Sequence, residues 1–289
     1  MLLTQTLEGE PMDIPKLTVM AYLNPQWQQW LAENLVRNVN PETIADVFKQ
    51  QGMKAAHKAF MDDFNLHKPE VPLPAIDFSR NLLTLTDATP KLLFVCDKPV
   101  VAIMDHFLSA QECEALIAVA DSKLEEATVV DPATGNHVQH QHRTSRNAAF
   151  ARGENELIRT IEARIAQTIA WPVENGEGLQ VLRYDLGGEY KAHYDYFDTK
   201  SAGGLKHLEN GGQRVGTFLI YLSDVEGGGG TRFPSMHFEV RPKAGMALYF
   251  ANMLTDGSVD PKSLHAGVPV TEGVKYLASK WLRERQYGK

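Results

Sequence analysis

Cysteine is almost absent. Cys96 and Cys113 are the only two in 289 residues, too few for a disulfide framework, which points to a reducing compartment. Positive charge is not in surplus either. Lys and Arg number 29 against 36 for Asp and Glu, a formal net charge of −7, which argues against a nucleic-acid partner. Long apolar runs are missing too: the best, AGMALYFANM at 244–253, falls short of the roughly 18 residues of a membrane span. No basic region followed by an apolar stretch opens the chain, so no secretory signal is predicted. A soluble, cytoplasmic protein with no membrane attachment is expected. Gly-x-Ser-x-Gly, His-Glu-x-x-His and a Gly-Lys-Ser/Thr phosphate loop are absent, which removes the commonest hydrolase, zinc-protease and nucleotide-binding signatures. With 43% hydrophobic and 22% charged residues, what remains is an ordinary globular composition.

Periodicity divides the chain into four parts. Residues 1–23 read as a lead-in. Residues 24–65 read as a small helical segment: Asn24-Pro25 and Asn40-Pro41 are helix starts, Gly52 is a stop, and a third helix is predicted near Lys54–Phe64. Residues 66–98 carry Pro69, Pro72, Pro74 and Pro90 and read as a linker. The main domain is predicted over 99–289. It opens with a strand in PVVAIMDHFL and a helix whose Ser109 and Glu112 have capping-box spacing; a second helix falls near 155–170. After Glu177 the period changes to two, in short segments such as LQVLRYD, VGTFLIYLSD and VKYLASKWLRE. Many short strands with no helices between them favour a closed barrel or jelly roll. The predicted fold is therefore mixed α and β, a jelly-roll core with flanking helices.

Ten histidines compete for a role. Alternate residues of a strand share a face, so His193-Tyr194-Asp195 aims an imidazole and a carboxylate the same way. His265, at the start of a late strand, is the best third ligand. Two His and one carboxylate suit non-haem Fe(II) and O2 chemistry. His137, His140 and His142 lie in a polar stretch and read as a solvated hairpin end, while His207 and His237 read as surface or packing residues. The run Gly227–Gly230 joins two strands and reads as a tight hairpin. Lys275 stands in a strand otherwise rich in apolar residues, and a buried lysine needs an anion. The distal carboxylate of 2-oxoglutarate would supply one, with Thr217 and Tyr184 as further hydrogen-bond donors. A non-catalytic jelly-roll binding module has no need of the triad or of Lys275.

From about Pro99 onward the chain resembles the prolyl 4-hydroxylase family of Fe(II)- and 2-oxoglutarate-dependent dioxygenases. The matching pieces are DHFLSAQECEALI, the Arg143-Thr144-Ser145 run, LQVLRYDLGGEYKAHYDYF, GGGGTRFP and HAGVPVTEGVKYLASKW. The likeness implies a double-stranded β-helix, iron ligands His193, Asp195 and His265, and a 2-oxoglutarate site of Tyr184, Thr217 and Lys275. It implies O2 as co-reactant, ascorbate as reductant, and a peptide groove lined by Arg143, Ser145, Glu177, Tyr190 and Trp281. The expected substrate is proline in a peptide or protein; the alternative is a free amino acid or small metabolite. Two departures bear on substrate: Arg146-Asn147 replace small residues, and Arg283 stands where peptide-binding members often carry His. Long segments at 131–147 and 197–213 flank the predicted site, the second with glycines that read as hinges.

Overall fold

The computed structural model describes residues 3–5, 11–66, 71–126, 129–130, 137–138 and 144–288. The chain forms two compact units, Met1–Glu70 and Val71–Lys289. Among the described residues no helix is long and apolar enough to cross a membrane.

In the first unit, helices Pro25–Val36, Pro41–Gln50 and Lys54–Asp63 pack around Leu31, Leu35, Ile44, Phe48 and Phe60. Asn24 and Asn40 cap the first two, accepting hydrogen bonds from Trp27 N and Glu42 N. The lead-in is not loose. Ile14, Val19 and Leu23 are buried in the same core, and the Asp63 carboxylate accepts from Thr18 N and Val19 N. Short 3-10 turns at Ile14–Lys16 and Thr18–Tyr22 have no 3.6-residue period, so the periodicity of the sequence does not reveal them.

The expected linker is also corrected. From Val71 the chain belongs to the second unit: Val71 N donates to Thr255 O, Ala75 N to Ile169 O, and Ile76 and Leu83 are buried in its core. Lys91–Cys96 is a strand paired with Val101–Asp105. The proline spacing marks an extended path laid on the domain, and the domain starts near residue 71 instead of 99.

The second unit is built on a jelly roll. Its major sheet has eight strands in the order Lys91–Cys96, Val101–Asp105, Ala247–Ala251, Arg214–Tyr221, Lys275–Arg283, Leu179–Tyr184, Arg146–Phe150, Glu125–Glu126, every pair antiparallel. The minor sheet orders Tyr190–His193, His265–Gly267, Thr231–Phe233 and Phe238–Val240. The central strands are buried on both faces, which explains their near-continuous apolar sequence. Val181, Phe218, Ile220 and Ala278 pack on helices Ala110–Asp121 and Glu156–Thr168 through Leu116, Ile158, Ile161 and Ile165. Their neighbours Leu182, Leu219, Tyr221 and Leu277 turn the other way, toward Phe233 and Val240 of the minor sheet. Ser109 forms the predicted capping box with Glu112.

Two glycine-rich segments differ from expectation. Gly227–Gly228 is no hairpin turn; it pairs with Val270–Glu272, and at Gly228, φ +70°, a Cβ would lie 2.1 Å from Pro269 O. Within 197–213 a helix spans Ala202–Leu208. Gly204 lies inside it because a Cβ there would sit 2.0 Å from Asp198 O, so close approach and not hinging explains that residue.

Candidate metal centre

Cross-strand pairing assembles the centre. His193 ends one minor-sheet strand and pairs directly with His265, which begins the next. Asp195 follows two residues after His193. His193 Nε2 lies 3.6 Å from Asp195 Oδ1, and His265 Nε2 lies 3.6 Å from Oδ2. Among the described residues this is the one group of three His, Cys, Asp or Glu side chains close enough to hold a metal ion.

The donor set fits Fe(II). His193 Nδ1 is 2.8 Å from Lys191 O and His265 Nδ1 is 2.9 Å from Ser263 O. Both carbonyls accept a hydrogen bond from Nδ1–H, which leaves each Nε2 lone pair facing the carboxylate and available to a cation. Burial, then the neighbouring His193, pushes His265 down to about 4, so its imidazole is neutral. Burial alone would raise Asp195, but the facing imidazoles of His265 and His193 and the Arg214 guanidinium outweigh it and hold the carboxyl well below the usual range. Tyr190 stacks on His193 at 3.6 Å between ring centroids, and Phe250 packs on His265 at 4.6 Å. The imidazoles are fixed before any ion arrives.

A pocket opens from the triad and reaches Lys275, lined between them by Leu219, Thr231 and Leu277. Lys275 is 2% exposed. No described residue forms an ion pair or hydrogen bond with its Nζ, which lies over the rings of Tyr184 and Tyr221 at 5.1 and 5.7 Å. Burial pushes its pKa down to about 7, with Glu239 acting weakly the other way. A buried, unpaired ammonium at the end of a pocket is a site for an anion. Thr231, which also lines the pocket, completes it. Its Oγ1 accepts from Tyr221 Oη at 2.7 Å, leaving the threonine proton free to donate.

The candidates taken from sequence are thus distributed unevenly. Tyr184, Tyr190, Lys275 and Trp281 line the pocket with the triad. Trp281 Nε1 is buried with no hydrogen-bond partner among the described residues. Thr217 does not line the pocket: it donates to Asp195 Oδ2 at 2.7 Å and accepts from Asn252 Nδ2 at 3.0 Å. Thr231, which the sequence reading passed over, has the place expected of Thr217. Glu177 does not line the pocket. It is buried between Arg214 and Arg283, with closest contacts of 2.6 and 2.7 Å. Burial would raise its pKa, but the two guanidiniums hold it below the usual carboxylate range. Ser145 is buried outside the pocket lining. Arg143, His140 and His142 lie outside the described residues. Of the other rivals, His137 pairs with Val130 in a two-residue strand, His207 stacks on Phe197, and His237 is exposed after a 3-10 turn.

Comparison with known proteins agrees with this chemistry. The family described as the 2OG-Fe(II) oxygenase superfamily matches residues 179–283. Probable prolyl 4-hydroxylase 10 of Arabidopsis thaliana is 41% identical over 209 residues, covering 66% of this chain and 71% of that protein. Prolyl 4-hydroxylase 1 of the same plant is 39% identical over 227 residues, covering 73% and 77%. Among solved structures, the viral collagen prolyl hydroxylase from Paramecium Bursaria Chlorella virus-1, in its 2OG complex, superposes with a TM-score of 0.51 at 30% identity, over 66% of this chain and 99% of that one. With the His–Asp–His centre and its anion pocket in one jelly roll, the chain belongs to the prolyl 4-hydroxylase family of 2OG-Fe(II) oxygenases.

Proposed function

We propose that this enzyme hydroxylates a prolyl residue within a peptide or protein, converting 2-oxoglutarate and O2 to succinate and CO2. The observation that carries the reading is one pocket with two ends of matched chemistry: an Fe(II)-type donor set at one, and at the other a buried lysine with no ion-pair partner among the described residues. The iron, when bound, supplies the oxidising chemistry that no side chain can. The chain supplies the rest. His193, Asp195 and His265 would hold the ion on one face. The Lys275 ammonium and the Thr231 hydroxyl take the distal carboxylate of 2-oxoglutarate, a charge-assisted pair shielded from water by Leu219 and Leu277. Tyr190 and Trp281 present aromatic walls beside the metal site, surfaces on which a proline ring packs well.

The test is a panel of proline-containing peptides and free amino acids incubated with Fe(II), 2-oxoglutarate and ascorbate as reductant, read by mass spectrometry. A one-oxygen increment on a prolyl residue of a peptide supports the reading. Hydroxylation of free amino acids with no peptide modified would replace it with a small-metabolite hydroxylase.

A further inference from the structure

The segment from Phe197 to Gln213 leaves the metal ligand Asp195 and returns to the Arg214–Tyr221 strand. The side chain that fastens its return comes from the far end of the strand that begins with Lys275. Arg283 is 2% exposed. Its Nη1 donates to Gly212 O at 2.5 Å and to His207 O at 3.2 Å, and its Nε lies 2.7 Å from Glu177 Oε1. Glu177 is shared. Its Oε1 accepts from Arg214 Nε at 2.6 Å and its Oε2 from Arg214 Nη2 at 2.8 Å.

Arg214 in turn reaches the reaction site by two routes. Its guanidinium lies 3.9 Å from the centre of a Trp281 ring, and its Nη1 donates to Asp195 O at 3.3 Å. The ring of Phe197 is flanked by both guanidiniums, at 4.7 and 4.8 Å, while Gln213 bonds both the N and O of Phe197. A single carboxylate therefore joins one arginine that braces Trp281 and Asp195 to another that holds the end of the Ala202–Leu208 helix and the turn after it. Gly211 and Gly212, at φ +83° and +77°, give that turn a backbone shape in which both carbonyls can be reached.

Burying two guanidiniums with one carboxylate is a poor route to stability compared with apolar packing, so the arrangement is better explained by the geometry it imposes. We propose that Arg283 is a positioning residue for the peptide substrate: through Glu177 and Arg214 it sets the pocket wall at Trp281, and through Gly212 and His207 it latches the 198–212 segment in place. This rests on the proposed hydroxylation of a peptide. It also withdraws Glu177 from direct contact with substrate.

The test compares wild type with Arg283→Met, which keeps length and packing but no donor, and Arg283→Lys, which keeps the charge but cannot serve Glu177 and both carbonyls together. Two readouts are needed. Limited trypsin digestion reports cleavage after Lys200 and Lys206, both exposed in the latched segment. Steady-state kinetics on a proline peptide separates KM from kcat. Arg283→Met should speed that cleavage and raise peptide KM, each by about tenfold, as expected when a coupling network is cut, with kcat changing far less. Arg283→Lys should lie between the two. If Arg283→Met does not fold, the same ordering of Arg283→Lys against wild type decides. Unchanged cleavage and KM would overturn the proposal, as would a kcat that falls in step with the rise in KM, since that marks general loosening. Should wild type modify no peptide, the functional reading fails, and the digestion still tests the latch separately.

Discussion

Raising the pH from about 6 to about 8 is expected to weaken 2-oxoglutarate binding through Lys275. The lysine is buried, no described residue pairs with its Nζ, and burial pushes its pKa down to about 7. Its ammonium form is the one that pairs with a carboxylate, so binding takes up a proton and is lost as pH rises through that value. For a pKa of about 7, the apparent KM exceeds its limiting value about 1.1-fold at pH 6 and about 11-fold at pH 8, a tenfold change overall. An unshifted lysine would give no change over that range. Lys275→Met removes the partner altogether and should cost about 2–5 kcal/mol of 2-oxoglutarate affinity, the scale for truncating one side of a buried charge pair. It should also flatten the pH dependence. The assay is succinate formation against 2-oxoglutarate concentration across the pH series at saturating metal. A wild-type KM that is flat from about pH 6 to 8 would refute the reasoning, and so would a Lys275→Met enzyme with the same KM as wild type.

Three further outcomes follow from neighbouring contacts. Thr217→Val removes the donor to Asp195 and should weaken Mn(II) or Co(II) binding about 10–100-fold by direct titration, the range for losing an outer hydrogen bond to a ligand; Thr217→Ser should restore it. Thr231→Val should cost about 1.5–3 kcal/mol of 2-oxoglutarate affinity, the value of a hydrogen bond to a charged group, with metal affinity unchanged. Glu162→Gln breaks the buried Glu162–Lys280 pair and should lower stability by about 3–5 kcal/mol in urea unfolding, whereas replacing both partners with Leu and Met should cost far less.

The candidate metal triad was legible in the sequence because two of its members are close neighbours, although the strand ends at His193 and Asp195 lies in the bend beyond it. His193 and Asp195 differ by two residues, and pairing in a jelly roll places His265 beside them. Lys275 was legible as a charge in a strand rich in apolar residues, although Lys280 and Arg283 share that strand. Thr217 shows where parity stops helping. It shares the inward face with Leu219 and Tyr221, as expected, but pairs with Trp281, six residues along the strand from Lys275, or roughly 20 Å. Position along the strand depends on register, which the sequence does not state. The pairing of Glu177 is hidden for a related reason: its partners Arg214 and Arg283 are distant in sequence, so nothing local signals that its charge is already neutralised. The path from Val71 to Lys91 looked like a linker because its anchors, Thr255 O and Ile169 O, lie far along the chain.

The central claim is tested most directly by running the reaction under labelled O2 with a proline-containing peptide. A dioxygenase working through the His193–Asp195–His265 centre places one labelled oxygen in the hydroxylated peptide and the other in succinate, with one succinate formed per hydroxyproline. Product oxygen drawn from water, or peptide modification that proceeds without succinate, would contradict the account.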